Sequence, residues 1–281
     1  MKYTLNKYHQ NKNRKNPPSD EYYTKYEEVK FIFEELLFKE DLKDKIIYCP
    51  ADGEQSNFVI YLKEHKDDIQ YKELIYTSDD MMTHEDLFQK ADYIITNPPF
   101  SMLRNEILPL LKRNNCNFFL FGSLIMNIYY LNTYSPNECK YIRRSSNFPF
   151  ITPFVGDISG TNEIEVVGTI YLTTMNINEN YYHNILNKKF LTKSIDEIPN
   201  VFNLEEDDNY LIIDKMENYP KDYYEPVWAT LSVLQYKYTK YFDYIDIRDK
   251  KNGKPKHYCA KPSDGKNRFL RFLVKRKKDI I

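Results

Sequence analysis

Over its first 125 residues the chain alternates short apolar runs with amphipathic stretches, and after that the rhythm is lost. In residues 20–38, Val29, Ile32, Phe33, Leu36 and Leu37 recur at spacings of three and four, which predicts a helix with one buried face. Residues 46–49 are a short apolar run ending in Pro50-Ala51-Asp52-Gly53, the pattern of a buried strand that enters a loop. Residues 56–65 predict a helix with Phe58, Val59 and Leu62 inward. Residues 74–77 read as a second strand, followed by Ser78-Asp79-Asp80. A short helix is expected over 83–90, with Thr83 as N-cap and Asp86 three residues on. A third strand, 91–96, runs directly into Asn97-Pro98-Pro99-Phe100. A helix over 102–113, with Leu103, Ile107, Leu110 and Leu111 inward, precedes a fourth strand at 117–121.

Strands alternating with helices of this length imply βαβ units and a parallel sheet. Ligands bind such sheets beyond the carboxyl ends of the strands. Three of those ends carry polar clusters: Asp52 with Glu54, Asp79 with Asp80, and Asn97. One binding site on one sheet edge is therefore expected. Beyond residue 125, residues 166–173 and 210–214 are β-rich, 227–234 is apolar and holds the single Trp228, and 242–247 alternates. No βαβ repeat is visible there, so a mixed region follows a boundary near 130–145. The expected organisation is a flexible arm at 1–19, a parallel-sheet core at 20–135, and the rest of the core with a further mixed region at 136–281.

Composition narrows the class. With 281 residues, 42% hydrophobic and 29% charged, the chain supports a packed core and a solvated surface. No run approaches the roughly 18 apolar residues of a membrane span. The first 16 residues are polar and lack the apolar centre of a secretory signal. Cys49, Cys116, Cys139 and Cys259 form no CxxC pair, so neither a disulfide framework nor a zinc site is indicated, no metal is expected, and a cytoplasmic location follows. The formal net charge is only -1, yet residues 248–281 hold 13 Lys or Arg against three Asp. That basic end is either a solvated tail or a surface for phosphate. Lys250, Lys251, Lys254, Lys256, Lys275, Arg276, Lys277 and Lys278 are the candidates for DNA contact, with Arg143 and Arg144 nearer the core.

The tetrad at 97–100 points to chemistry at an amino group. The lone pair of an exocyclic adenine nitrogen is delocalised into the ring, so the nitrogen is a poor nucleophile. Two rigid acceptors about 3 Å away, one for each proton, draw that lone pair out of the plane. Asn97 offers a side-chain carbonyl and Pro98 a main-chain one. The Pro98-Pro99 pair fixes the turn and adds no N–H. Phe100 supplies a face on which a base can stack, and the base must leave its duplex to get there. Asn16-Pro17-Pro18-Ser19 repeats the NPP without a preceding strand or an aromatic residue and reads as linker. In the loop after the first strand, Asp52 is a candidate for the amino group of a methionine moiety, and Asp79 or Asp80 for ribose or adenine.

Several segments together resemble the EcoRI-type adenine-specific DNA methyltransferases. The family's opening Asp-Glu-Phe-Tyr-Thr is Asp20-Glu21-Tyr22-Tyr23-Thr24 here. Its Tyr-Cys-x-x-Asp pattern leading to Ser-Asn-Phe is Tyr48-Cys49-Pro50-Ala51-Asp52, then Ser56-Asn57-Phe58. Ala91 through Ser101 follows the family pattern throughout, and Asn117 through Gly122 looks like the strand after its catalytic helix. The resemblance covers residues 16–125 well and the remainder thinly. It implies a Rossmann-like methyltransferase fold, S-adenosylmethionine as donor, and adenine N6 in double-stranded DNA as target. By motif position it puts Tyr23, Thr24, Cys49, Pro50, Ala51, Asp52 and Asn97 at the cofactor, and Asn97, Pro98, Pro99 and Phe100 at the base. A cognate restriction endonuclease remains an open question. The chain departs from the family after the second strand, where a longer insertion ending in Gly-Asp-Phe is replaced by Ser78-Asp79-Asp80-Met81-Met82.

Two other readings stand beside this one. Motifs of this type also serve enzymes that methylate RNA or protein glutamine, which usually keep a Gly-rich cofactor loop. A methyltransferase scaffold can also be reduced to a non-catalytic DNA-binding protein.

Overall fold

In the computed structural model, residues 23–123, 130–131, 133–143, 148–151, 163–166, 169–178, 190–198, 202–203, 211–213, 215–246 and 271–278 are described. The arm expected at 1–19 lies outside them, as do Arg144, Lys250, Lys251, Lys254 and Lys256. The chain divides into two compact units, residues 1–181 and 182–281. Among the described residues no helix is long and apolar enough to cross a membrane.

The first unit begins with β1 (Tyr23–Thr24) and α1 (Tyr26–Phe31), which widens into a π-helical turn at Ile32–Leu36. The expected apolar face is buried: Val29, Ile32, Phe33, Leu36 and Leu37 all lie inside. The helix starts later than residue 20, because Tyr23 and Thr24 pair with a strand far along the chain, a partner that local spacing does not reveal. After α2 (Lys39–Leu42) come β2 (Ile46–Cys49), α3 (Asn57–Glu64) and α4 (Lys66–Ile69). Next are β3 (Glu73–Tyr76), α5 (Glu85–Lys90) and β4 (Tyr93–Thr96). The tetrad then leads into α6 (Phe100–Met102), a π-helical turn at Leu103–Ile107, and α7 (Leu108–Arg113). The remaining strands are β5 (Asn117–Ser123), β6 (Lys140–Ile142), β7 (Phe148–Ile151), β8 (Glu163–Val166) and β9 (Thr169–Thr173).

The central sheet runs in the order β3-β2-β4-β5-β9-β6. Its first four strands are parallel, and β9 is antiparallel to both β5 and β6. The unit is thus a mixed α/β fold around a mostly parallel sheet. Apolar runs buried on both faces explain the parallel part: Ile47, Tyr48, Ile94, Ile95 and Phe118 through Phe121 are all buried. Thr83 does not cap α5 as its position suggested. Asp80 accepts from Met82 N at 3.0 Å instead, so the chain makes a short 3-10 turn, Met81–Thr83, before α5. The sheet also continues well past the change of rhythm at 130–145, because β6 and β9 complete it. A second, small sheet in this unit has the order β1-β7-β8.

The second unit contains β10 (Phe202–Asn203), β11 (Leu211–Ile213), β12 (Val227–Thr230), β13 (Phe242–Asp246) and β14 (Arg271–Arg276), in the order β10-β11-β12-β14-β13. Only β11 and β12 are parallel. Behind them an aromatic cluster forms: the Phe190 ring lies 4.9 Å from Tyr238 and 5.2 Å from Tyr241, and Tyr219 meets Phe242 at 4.8 Å.

Candidate active site

Because β2, β3, β4 and β5 are parallel, their carboxyl ends share one edge, and the expected polar clusters meet there. Leaving β2, the chain turns through buried Pro50 and then Ala51, whose φ of 59° lies in the left-handed region. Thr96, at the end of β4, donates its hydroxyl to the Pro50 carbonyl at 2.8 Å and ties the two strand ends together. Gly53 lies beside the loop after β3, where an added Cβ would meet Ser78 Cβ at an ordinary contact distance of 3.4 Å. Tyr48 and Thr77 join the same two strands through their hydroxyls at 2.9 Å.

Asp52 occupies the centre of this loop. Its Oδ1 accepts from the Ser56 hydroxyl at 2.5 Å, and Ser56 Oγ in turn accepts from Phe58 N as the N-cap of α3. Its Oδ2 is buried and receives no hydrogen bond from the described residues. Burial raises the Asp52 carboxyl to about 6, with the Ser56 hydroxyl partly opposing the rise. Thr24 approaches the same turn from β1: its carbonyl accepts from Asn57 Nδ2 at 2.7 Å, and its own Oγ1 is buried without a partner among the described residues. Tyr23 is half-buried and pairs with Ile151 of β7. Cys49 is fully buried, and burial pushes its thiol well up, so it is a packing residue and not a thiolate.

At the end of β4, Asn97 is half-buried, Pro98 buried, and Phe100 half-buried at the start of α6. The Asn97 Oδ1 atom is buried and accepts nothing from the described residues, while the residue is engaged through its other atoms. The Pro99 carbonyl is taken by Met102 N at 3.1 Å, which folds the tetrad directly into a helix.

No family model matches the chain. The chain is similar to a type II methyltransferase of Mycoplasma genitalium, M.MgeORF184P, at 21% identity over 317 aligned positions, which span 93% of this chain and 97% of that protein. The likeness to a methyltransferase thus runs over nearly the whole length of both proteins.

Methyltransferases in general take their methyl group from S-adenosylmethionine, and the strand-end cluster fits that molecule. A buried carboxylate with one open oxygen is costly unless a cation meets it, and the cofactor's methionine end carries an ammonium. Asp52 Oδ2 suits that ammonium, and Thr24 Oγ1 is a second buried polar atom ready for a partner. The two acids after β3 are engaged locally. Asp79 has both oxygens 2.9 Å from His84 Nε2, and that contact holds its carboxyl below the usual range. Asp80 uses Oδ1 on Met82 N.

Three supporting residues stand in the family-like segments of the sequence without a site role read for them: Ser56, Asn57 and Thr96. Ser56 lies four positions from Asp52 and, as an N-cap, was within reach of local reasoning. Asn57 and Thr96 hold partners 33 and 46 residues away, which only the fold brings near.

The basic candidates separate by position. Arg143 is exposed and follows β6, whose direction matches that of β4 and β5. Ile142 is level with Phe121, one step beyond the Leu120–Thr96 pair. Arg143 therefore stands on the same edge as Asn97, three strand spacings away, or about 14 Å at ~4.8 Å each. Lys275 faces Asp243 across β13 and β14, and Lys277 pairs with Asp243 at 3.8 Å. Arg276 turns inward: it is only 8% exposed, lies 4.8 Å over the Tyr224 ring, and donates to the Lys221 carbonyl. That guanidinium is packed inside its own unit, with Nε buried and without a hydrogen-bond partner among the described residues, and little of it is exposed to meet a phosphate.

Proposed function

We propose that this protein transfers a methyl group from S-adenosylmethionine to the exocyclic N6 of an adenine turned out of double-stranded DNA. The observation that carries this reading is the tetrad Asn97-Pro98-Pro99-Phe100 at the end of β4, next to the loop with the buried Asp52 carboxylate. The bound cofactor supplies a methyl group already activated on a sulfonium. The chain's own residues do the rest. Asp52 and Thr24 hold the methionine end, with Ser56, Asn57 and Thr96 fixing their positions. The Asn97 side-chain oxygen and the Pro98 carbonyl accept the two N6 protons, so that the lone pair turns toward the methyl group. Phe100 stacks the base and keeps it in plane, a contact worth about 1–3 kcal/mol. Arg143, exposed on the same edge, meets a backbone phosphate beside the flipped nucleotide.

The test is mass spectrometry of nucleosides from unmethylated DNA incubated with the protein and S-adenosylmethionine, with Asn97→Ala alongside. N6-methyladenine is expected from the wild type, and the variant should be slower by about 10²–10³-fold or more while still binding cofactor, the usual loss for one preorganised polar group. Cofactor binding without any methylated base in DNA would redirect the reading to RNA or to protein glutamine. Absence of cofactor binding would leave a DNA-binding protein on a methyltransferase scaffold.

A further inference from the structure

The second unit has a cleft of about 210 Å³ on its surface. It lies among the 3-10 turn Met216–Asn218, the end of β12, and the 3-10 turn Leu231–Leu234. Its polar lining is Lys215, Glu217, Thr230, Ser232, Gln235 and Lys237. The wall behind them is rigid: Tyr238 is 4% exposed and held by the Phe190 ring, and Lys237 lies 5.0 Å over the Tyr238 ring. Gln235 has its backbone fixed by a 3.0 Å bond from its N–H to the Ser232 carbonyl, so its amide is presented from a defined point.

Size and chemistry narrow the class of ligand. At ~30 Å³ per water the cleft holds about seven waters, and it is smaller than the roughly 300–1,000 Å³ of an enclosed small-molecule site. It therefore suits the edge of a larger partner. Lys215 and Lys237 make it attractive to a polyanion, but Glu217 would repel a phosphate bound within it. The lining combines an amide, two hydroxyls, two ammonium groups and a carboxylate. Those are the groups that pair with base edges: Gln with adenine N6 and N7, Lys with guanine O6 and N7, Glu with cytosine N4, and Ser or Thr with either kind of edge.

We infer that this cleft reads base edges of double-stranded DNA, with Gln235 as the principal specificity-determining residue. The inference rests on the reading of DNA as the substrate. Its test is selection of random duplexes for binding to the full chain, using wild type, Gln235→Leu and Ser232→Ala, with each selected pool then assayed for N6-methyladenine. Wild type should enrich one sequence motif. Gln235→Leu should lose preference at one base pair and bind the selected site about 10- to 100-fold more weakly, the discrimination of one bidentate contact. Ser232→Ala should weaken it less. Affinity for unrelated duplexes should stay within about twofold for both variants, since phosphates supply that binding; it also reports that they are folded. An unchanged motif in both variants, or no motif for the wild type, would overturn the role of the cleft. Methylation of the wild-type pool decides the enzymatic reading separately, whichever way the motif falls.

Discussion

Each unit holds a charged side chain with one polar atom buried and unpartnered among the described residues, and the surroundings of the two differ. In the first, Asp52 has one oxygen held by Ser56 and leaves the other buried and open. In the second, Arg276 lies over Tyr224 and donates to the Lys221 carbonyl. The sheets differ as well. Four parallel strands bring every carboxyl end to one edge, so polar residues from distant parts of the sequence collect there. The sheet of the second unit is mostly antiparallel, with only β11 and β12 parallel among the described strands, and polar groups line a cleft between its turns. The open Asp52 oxygen lies on the edge shared by the strand ends, where a ligand can sit, whereas the Arg276 guanidinium, whose Nε is likewise without a partner among the described residues, is stacked on Tyr224 and bonded to a carbonyl of its own unit.

Asp52→Asn gives the comparison its hardest test. Affinity for S-adenosylmethionine should fall roughly 10- to 100-fold by calorimetry, the worth of a hydrogen bond to a charged group. The sign of the pH dependence follows from the raised carboxyl. Only the ionised form meets an ammonium, so wild-type affinity should be complete above pH 7 and fall as pH drops through about 6. The variant should be flat over that range. Stability runs the other way: the folded chain binds this proton more tightly than the unfolded chain, so the Asp52 contribution to stability declines as pH rises from the ordinary carboxylate value of 3.8 to about 6 and is level above that. A variant with lower affinity and unchanged pH dependence would remove Asp52 from the cofactor site.

Arg276→Leu should behave as a change to architecture. Unfolding in urea should show a loss of about 1–3 kcal/mol, because the Lys221 carbonyl loses its donor. The salt dependence of DNA binding should not change. A shallower salt slope would instead mean that the guanidinium reaches phosphate. The smallest effect is expected at Ala51→Gly. A left-handed alanine costs about 1–2 kcal/mol, and glycine returns part of that gain through the freedom of the unfolded chain. A net stabilisation of a few tenths to about 1 kcal/mol should appear in the urea midpoint. A destabilised variant would show that the Ala51 methyl group packs more than it strains.

These contrasts also explain what the sequence made legible. The parallel strands could be read because each is a short apolar run closed by turn residues, and the tetrad because it follows one of them directly. The loop after β2 was harder, since Ala51 adopts the conformation for which a glycine would have been the signal. Asp79 and Asp80 had equal claims by position, and only the fold shows that His84 and the Met82 amide already engage them. Tyr23 and Thr24 were assigned to a helix because their strand partner, β7, lies more than a hundred residues away. Arg276 was grouped with a basic tail because charge is visible in a sequence and inward orientation is not.

The place of β9 has a consequence for how the protein is made. It lies between β5 and β6, yet it leaves the ribosome after both. From the end of β5 at Ser123 to the start of β9 at Thr169, translation at roughly 5–20 residues per second takes a few seconds. Throughout that interval β5, with Phe118, Phe119, Leu120 and Phe121, has one side of its backbone without its final neighbour. A nascent chain stalled before Thr169 therefore carries an open apolar strand edge, and the speed of translation sets how long that edge is available for pairing with another chain.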